Sequence, residues 1–182
     1  CIQRKIKISV LARILFVCFI KNVEMFCGGF KSKDSYGHTM LPDTLHKLPR
    51  TERFSYALLL AYMSRIDNEL TVEEMAMFEQ RLGTALLSPK QREKIRVSLK
   101  NPPSLEECLS GLGPESGRLA LRDAVLMAAA DGTVDEDERE ALEGIVKHLG
   151  LGADSINRLL AWTVEGYAWM QSGYELLNDL KR

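Results

Sequence analysis

Apolar residues recur three and four positions apart over most of residues 51–180, and no useful length alternates apolar with polar, so the chain is expected to be all-α. Phe54, Ala57, Leu58, Ala61 and Tyr62 line one face of a first helix that opens at Thr51 and runs to about Arg65. A second is expected from Val72 to Leu86, with Thr71 as its cap and Leu70 and Met75 placed as a hydrophobic staple. Ser88-Pro89 has the cap-then-proline order that starts a third, with Ile95 and Leu99 facing inward and Asn101-Pro102-Pro103 as its stop. Ser104-Leu-Glu-Glu107 is a capping box for a short helix ended by Gly111. A long helix from about Glu115 to Ala130 follows. The next, Glu136 to about Leu149, should bury Leu142, Ile145, Val146 and Leu149 and end at Gly150.

The last helix is expected to be capped by Asp154 and to reach Leu180, with a core stripe of Ile156, Leu160, Val164, Tyr167, Met170, Tyr174 and Leu177. On a neighbouring face Trp162, Gly166, Trp169 and Gly173 alternate large and small. Two readings stand for this face: both rings pack in the core, which is favoured, or the face offers a groove to a partner helix.

Two acidic turns organise the pattern. In Ala128-Ala-Ala-Asp-Gly-Thr-Val-Asp-Glu-Asp-Glu138 one helix ends in alanines, Asp131-Gly132 turns the chain, and Asp135 and Glu138 have the spacing of a capping box. The arrangement recurs 64 residues earlier without a gap: Asp67 matches Asp131, Asn68 matches Gly132, Leu70 matches Val134, Thr71 matches Asp135 and Glu74 matches Glu138. Two helix–turn–helix units packed as pseudo-equivalent halves of one helical bundle are therefore expected. Asp131, Thr133 and Asp135 occupy the first three ligand positions of an EF-hand. However, Glu136 stands where that loop needs Gly, and Leu142 (Phe78 in the first copy) stands where it needs a bidentate Glu. An EF-hand is excluded. Two readings remain. The acids can serve only as helix caps, favourably placed at the positive end of the helix dipole. Alternatively, carboxylates converging across a tight turn can hold calcium, magnesium or manganese. On the second reading Asp131, Asp135 and Glu138 form the stronger site, and Asp67 and Glu74, with Thr71 in place of a third carboxylate, the weaker.

Composition and charge narrow the partners. Residues 1–53 carry 10 Lys/Arg and 4 Asp/Glu, whereas residues 54–182 carry 14 and 21. An acidic globular part argues against nucleic acid. Residues 1–49 read as a basic, partly apolar extension and linker, poorly ordered, and 50–182 as the helical domain. The apolar run Ile6 to Ile20 is interrupted by Arg13 and falls short of the ~20 residues of a bilayer span. It reads as an over-extended start, a weak membrane anchor or a signal peptide; a first residue of Cys, with Met25 and Met40 available, favours the first. Cys1, Cys18, Cys27 and Cys108 show no disulfide or zinc spacing, which fits a reducing compartment. His38, His46 and His148 have no metal-ligand spacing, and there is no Gly-x-Ser-x-Gly or His-Glu-x-x-His motif. Gly111-Leu-Gly-Pro-Glu-Ser-Gly117 lacks the preceding strand and the Gly-Lys-Ser/Thr of a phosphate loop and reads as a connector. No enzyme and no small-molecule substrate are expected.

Small residues, then Asp131-Gly132, Val134 and Glu138 before an amphipathic helix resemble the tellurite-resistance TerB-like family and the related amino-terminal region of the DjlA co-chaperone. The resemblance covers about residues 50–180 and is clearest in the second turn; Asn68 and Ser64-Arg65-Ile66 depart from it in the first. It implies an all-helical bundle, divalent-metal binding in some members, membrane-linked stress-response complexes and no established catalysis. A cytoplasmic, membrane-proximal protein with a membrane-associated protein partner is the resulting expectation.

Helical periodicity and capping begin only near Thr51, so residues 1–40 are expected to be dispensable for folding. A chain starting at Met40 should show the cooperative thermal transition of the full chain; a large drop in melting temperature would mean that the apolar run packs into the core.

Overall fold

The computed structural model describes residues 44–66 and 71–180, and over these the chain is all-helical. After a 3-10 turn at Leu45–Lys47 come α1 (Arg50–Met63), α2 (Val72–Thr84), α3 (Pro89–Ser98), α4 (Leu105–Ser110), α5 (Pro114–Ala128), α6 (Glu136–His148) and α7 (Ser155–Asp179). Residues 1–43, including the apolar run, and Asp67 and Leu70 lie outside the described residues. Among the described residues, no helix is long and apolar enough to cross a membrane.

Local chemistry sets most helix starts. Thr71, Ser88, Ser104 and Asp135 each accept the N–H three residues on, and Glu74, Gln91, Glu107 and Glu138 each return a side-chain oxygen to the cap's own N–H. Two caps differ from expectation. Pro49, not Thr51, stands at the cap of α1, and Asp154 precedes α7 without a side-chain cap bond because its own backbone is already helical. The ends of α2 and α6 share a conformation: Leu86 (φ 49°) and Gly150 (φ 63°), 64 residues apart, are both left-handed. Helices α1 and α5 begin 64 residues apart, as do α2 and α6.

Helices α1 and α5 make the most extensive helix–helix contact, and the others gather round them. Tyr56, Leu59, Leu60 and Ala61 from α1 meet Ala120, Leu121, Ala124 and Val125 from α5 in one core, with Phe78 and Leu82 of α2 and Leu142 and Ile145 of α6. The core starts ahead of the first helix: Leu45 and Leu48 are buried in it. The close approach explains the glycine-rich connector. A Cβ on Gly111 would collide with the Ser55 side chain, and one on Gly113 would lie 2.9 Å from the Glu52 carboxylate. Ser116, fully buried, donates to Glu52 Oε2 at 2.6 Å and accepts from the Gly113 N–H at 2.9 Å.

One ion cluster sits in this core. Asp123 is fully buried; Tyr56 Oη donates to its Oδ2 at 2.6 Å, and Arg122 grips both oxygens, Nε and Nη2 each at 2.7 Å. Arg81 Nε of α2 lies 3.6 Å from Oδ1. Helices α1, α2 and α5 are thus tied to one carboxylate. A charge taken out of water is tolerated only when paired and hydrogen-bonded.

The C-terminal helix departs from its expected packing. Ile156 and Thr163 are buried and Leu160 packs partly on the core, but Val164, Tyr167, Met170, Tyr174 and Leu177, expected in the core stripe, are exposed. The core reading of the tryptophans fails with them: Trp162 is 47% exposed and Trp169 69%. Among the described residues the bundle ends where α7 passes it, so the apolar periodicity continues beyond any described helix that could cover it.

Removing the partners of Asp123 should be costly. Tyr56→Phe deletes one bond to a buried charge and should lower stability by about 1.5–3 kcal/mol in urea denaturation. Asp123→Ala should cost about 3 kcal/mol, at the low end for a broken buried pair, because the side chains of Arg81 and Arg122 keep 19% and 26% exposure. Burial, then the Asp123 charge, pushes the Tyr56 phenol far up from 10.0. The unfolded chain therefore ionises first, so stability is full below pH 10 and falls above it; Tyr56→Phe should lose that part of the alkaline slope.

Candidate functional site

The second acidic turn connects α5 to α6. The N–H of Gly132 bonds to the Ala129 carbonyl at 3.2 Å, and Gly132 takes φ 97°, a conformation that favours glycine. Asp131 folds back on the turn: its Oδ1 accepts from the Thr133 N–H at 2.8 Å and from the Thr133 hydroxyl at 3.1 Å. This local bonding satisfies a carboxylate that the end of α5 would otherwise disfavour. Asp135 Oδ1 accepts from the Glu138 N–H at 2.8 Å, and Glu138 Oε2 accepts from the Asp135 N–H at 3.1 Å. Asp131 and Asp135 are exposed and Glu138 is buried.

The first turn has the same chemistry on its described side. Glu74, also buried, accepts at Oε2 from the Thr71 N–H at 2.8 Å and hydroxyl at 2.9 Å, while the Glu74 N–H donates to Thr71 Oγ1 at 3.1 Å. Phe78 and Leu142, where an EF-hand would place its bidentate Glu, are both fully buried in the core. Among the described residues no three His, Cys, Asp or Glu side chains are grouped so that they could hold a metal ion.

A cleft opens beside the second turn, where α6 faces the end of α1 and the start of α4. It encloses about 420 Å³ over Tyr62, Ile66, Leu105 and Ala141, and Asp137 and Glu140 stand on its acidic rim. Burial raises the Tyr62 phenol above its usual range, with Cys108 and Glu140 adding to it. Helices α4 and α6 approach closely here, since a Cβ on Gly144 would lie 2.9 Å from Leu105 Cδ2. A larger cleft of about 640 Å³, lined by Phe54, Leu58 and Val97 with Lys90 and Lys94, includes no residue of either turn. Sequence reading did not find the acidic cleft, because its residues come from three elements up to 82 positions apart (Tyr62 to Gly144). Nor did it find Asp123, whose partners Tyr56 and Arg81 are distant in sequence.

Cys108, buried within α4, has its thiol pushed up to about 12 by burial, then by Glu107, which keeps it protonated and unreactive at neutral pH. The C-terminal helix also reaches the turn: Tyr167 Oη donates to the Ala129 carbonyl at 3.4 Å. Comparison of the chain with protein-family profiles, with curated proteins and with solved structures finds no match.

Proposed function

We propose that the chain is a non-catalytic, TerB-like helical interaction module of two equivalent helix–turn–helix units, in which the acidic turns act as helix caps and the adjoining cleft takes a basic, amphipathic partner segment. The cleft carries this reading. Its apolar floor of Tyr62, Ile66, Leu105 and Ala141 can bury an anchor side chain, and Asp137 and Glu140 stand where a lysine or arginine of the same segment would reach. The excess of acids over bases in residues 54–182 favours the same cationic partner. Support for two equivalent units comes from helix starts, reciprocal caps and left-handed helix ends that recur at one offset. Support for the capping role comes from the carboxylates themselves, since Glu74 and Glu138 are buried and engaged with the backbone. The resemblance to the TerB-like family supports a place in a stress response.

A second reading, a divalent cation at Asp131, Asp135 and Glu138, is favoured by one observation. Asp131 takes both of its local bonds through Oδ1, on an exposed turn that Gly132 makes tight.

Two experiments separate these readings. A synthetic Leu/Lys amphipathic peptide should bind the full chain, more weakly as salt rises, and Asp137→Lys with Glu140→Lys should reduce affinity by about tenfold or more. Affinity unchanged by that pair would remove the cleft from the function. Calorimetry with calcium, magnesium and manganese at about millimolar metal should give only heats of dilution if the turns are caps. Asp135→Ala should then cost about 0.5–2 kcal/mol through the lost cap. Saturable heat that disappears in Asp131→Ala would establish the cation site instead.

A further inference from the structure

The exposed part of α7 is patterned for a second helix. Leu159, Trp162, Gly166, Trp169, Gly173, Leu176 and Leu180 follow one another at alternating steps of three and four residues, the spacing of a coiled-coil seam. Trp162, Trp169, Leu176 and Leu180 on this seam are 47%, 69%, 60% and 69% exposed. Around Gly166 and Gly173 a Cβ would meet nothing within 4 Å. Glycine is among the poorest helix formers, so two of them on a helix face that no other described residue covers weaken it with no packing among the described residues to compensate. The surface around Gly173 is already a socket: a cleft of about 400 Å³ is rimmed by Trp169, Met170, Leu176 and Leu177, the residues three and four positions to either side.

We propose that two copies of the chain dimerise through α7, antiparallel, about a two-fold axis between Tyr167 and Ala168. In that register Trp162 enters the partner's socket at Gly173, Trp169 lies over the partner's Gly166, and Leu159 meets the partner's Leu176. Every layer then sets a large residue on a small one or leucine on leucine, and the surface is self-complementary, as a two-fold interface requires. A parallel pair would instead stack tryptophan on tryptophan and glycine on glycine, leaving voids that close packing forbids. The area suffices. The exposed apolar side chains on and beside the seam, Trp162, Trp169, Met170, Leu176, Leu177 and Leu180, offer roughly 700 Å² per copy, within the ~600–1,000 Å² per partner of a stable interface. Charge points away from a lipid surface: between Leu159 and Leu180 the helix carries Glu165, Glu175 and Asp179 and no cation. In the antiparallel register Glu165 lies opposite the partner's Met170 and Glu175 opposite the partner's Leu160, so no layer joins two acids.

Sedimentation equilibrium of the full chain, at concentrations from about 1 to 100 µM, tests this. The wild type should reach twice the 20.5 kDa monomer mass. Trp169→Glu should weaken association by about tenfold or more, with helicity by circular dichroism unchanged. A Cβ at Gly173 meets nothing within 4 Å, so Gly173→Leu fills the socket without a backbone clash and improves helix propensity; it decides the matter even if Trp169→Glu misfolds, and it too should weaken association by about tenfold. Adding Trp162→Ala to Gly173→Leu should restore most of the loss. A wild type that stays monomeric at the top concentration overturns the dimer, as does a Gly173→Leu chain that associates like the wild type. Failure of Trp162→Ala to rescue overturns the antiparallel register.

Discussion

The carboxylate of Asp123 is the constraint on which the bundle's arrangement depends. A carboxylate without exposure, surrounded by leucine and alanine, has only one acceptable geometry: every lone pair must find a donor. Tyr56 supplies one from α1, Arg122 supplies two from α5, the helix that carries Asp123, and Arg81 brings a second positive charge from α2. Apolar packing alone would allow α1 to rotate or slide on α5 at modest cost, because leucine and alanine surfaces are tolerant of such shifts. A bond of 2.6 Å to a buried charge is not. By fixing α1 against α5, the cluster also fixes where α5 delivers the second acidic turn.

What could be read in the sequence was whatever depends on neighbours within four residues. The boxes Thr71–Glu74, Ser88–Gln91, Ser104–Glu107 and Asp135–Glu138 join residues three apart, so spacing alone identifies them; all four caps were expected, and the last two as full boxes. The left-handed ends were legible at Gly150 but not at Leu86, where a leucine adopts φ 49° with its carbonyl held by Arg53 at 3.1 Å. A tertiary bond there overrides residue preference. Periodicity was a good guide to which face of a helix is apolar and a poor guide to what covers it. Tyr167, Met170, Tyr174 and Leu177 continue the stripe begun by Ile156 and Leu160 without a break. Nothing in the spacing marks the residue at which the bundle stops. The burial of Leu45 and Leu48 shows the same lesson in reverse, since a three-residue 3-10 turn is too short to display any period.

The acidic turns show how one set of atoms can answer to two uses. At Glu138 one carboxylate oxygen already accepts the Asp135 N–H at the start of α6, and at Asp135 one oxygen accepts the N–H of Glu138. A cation bound through those oxygens would have to share or displace the caps, forfeiting up to about 0.5–2 kcal/mol for each one lost. Glu138 is also buried, so drawing it outward would open the first turn of a helix whose Leu142 and Ile145 belong to the core. Asp131 is under no such restraint, since its bonds to Thr133 close a surface turn and no helix begins on them. The caps thus grade the cost of holding a cation in this turn: least at Asp131, whose bonds start no helix, and greatest at the buried Glu138.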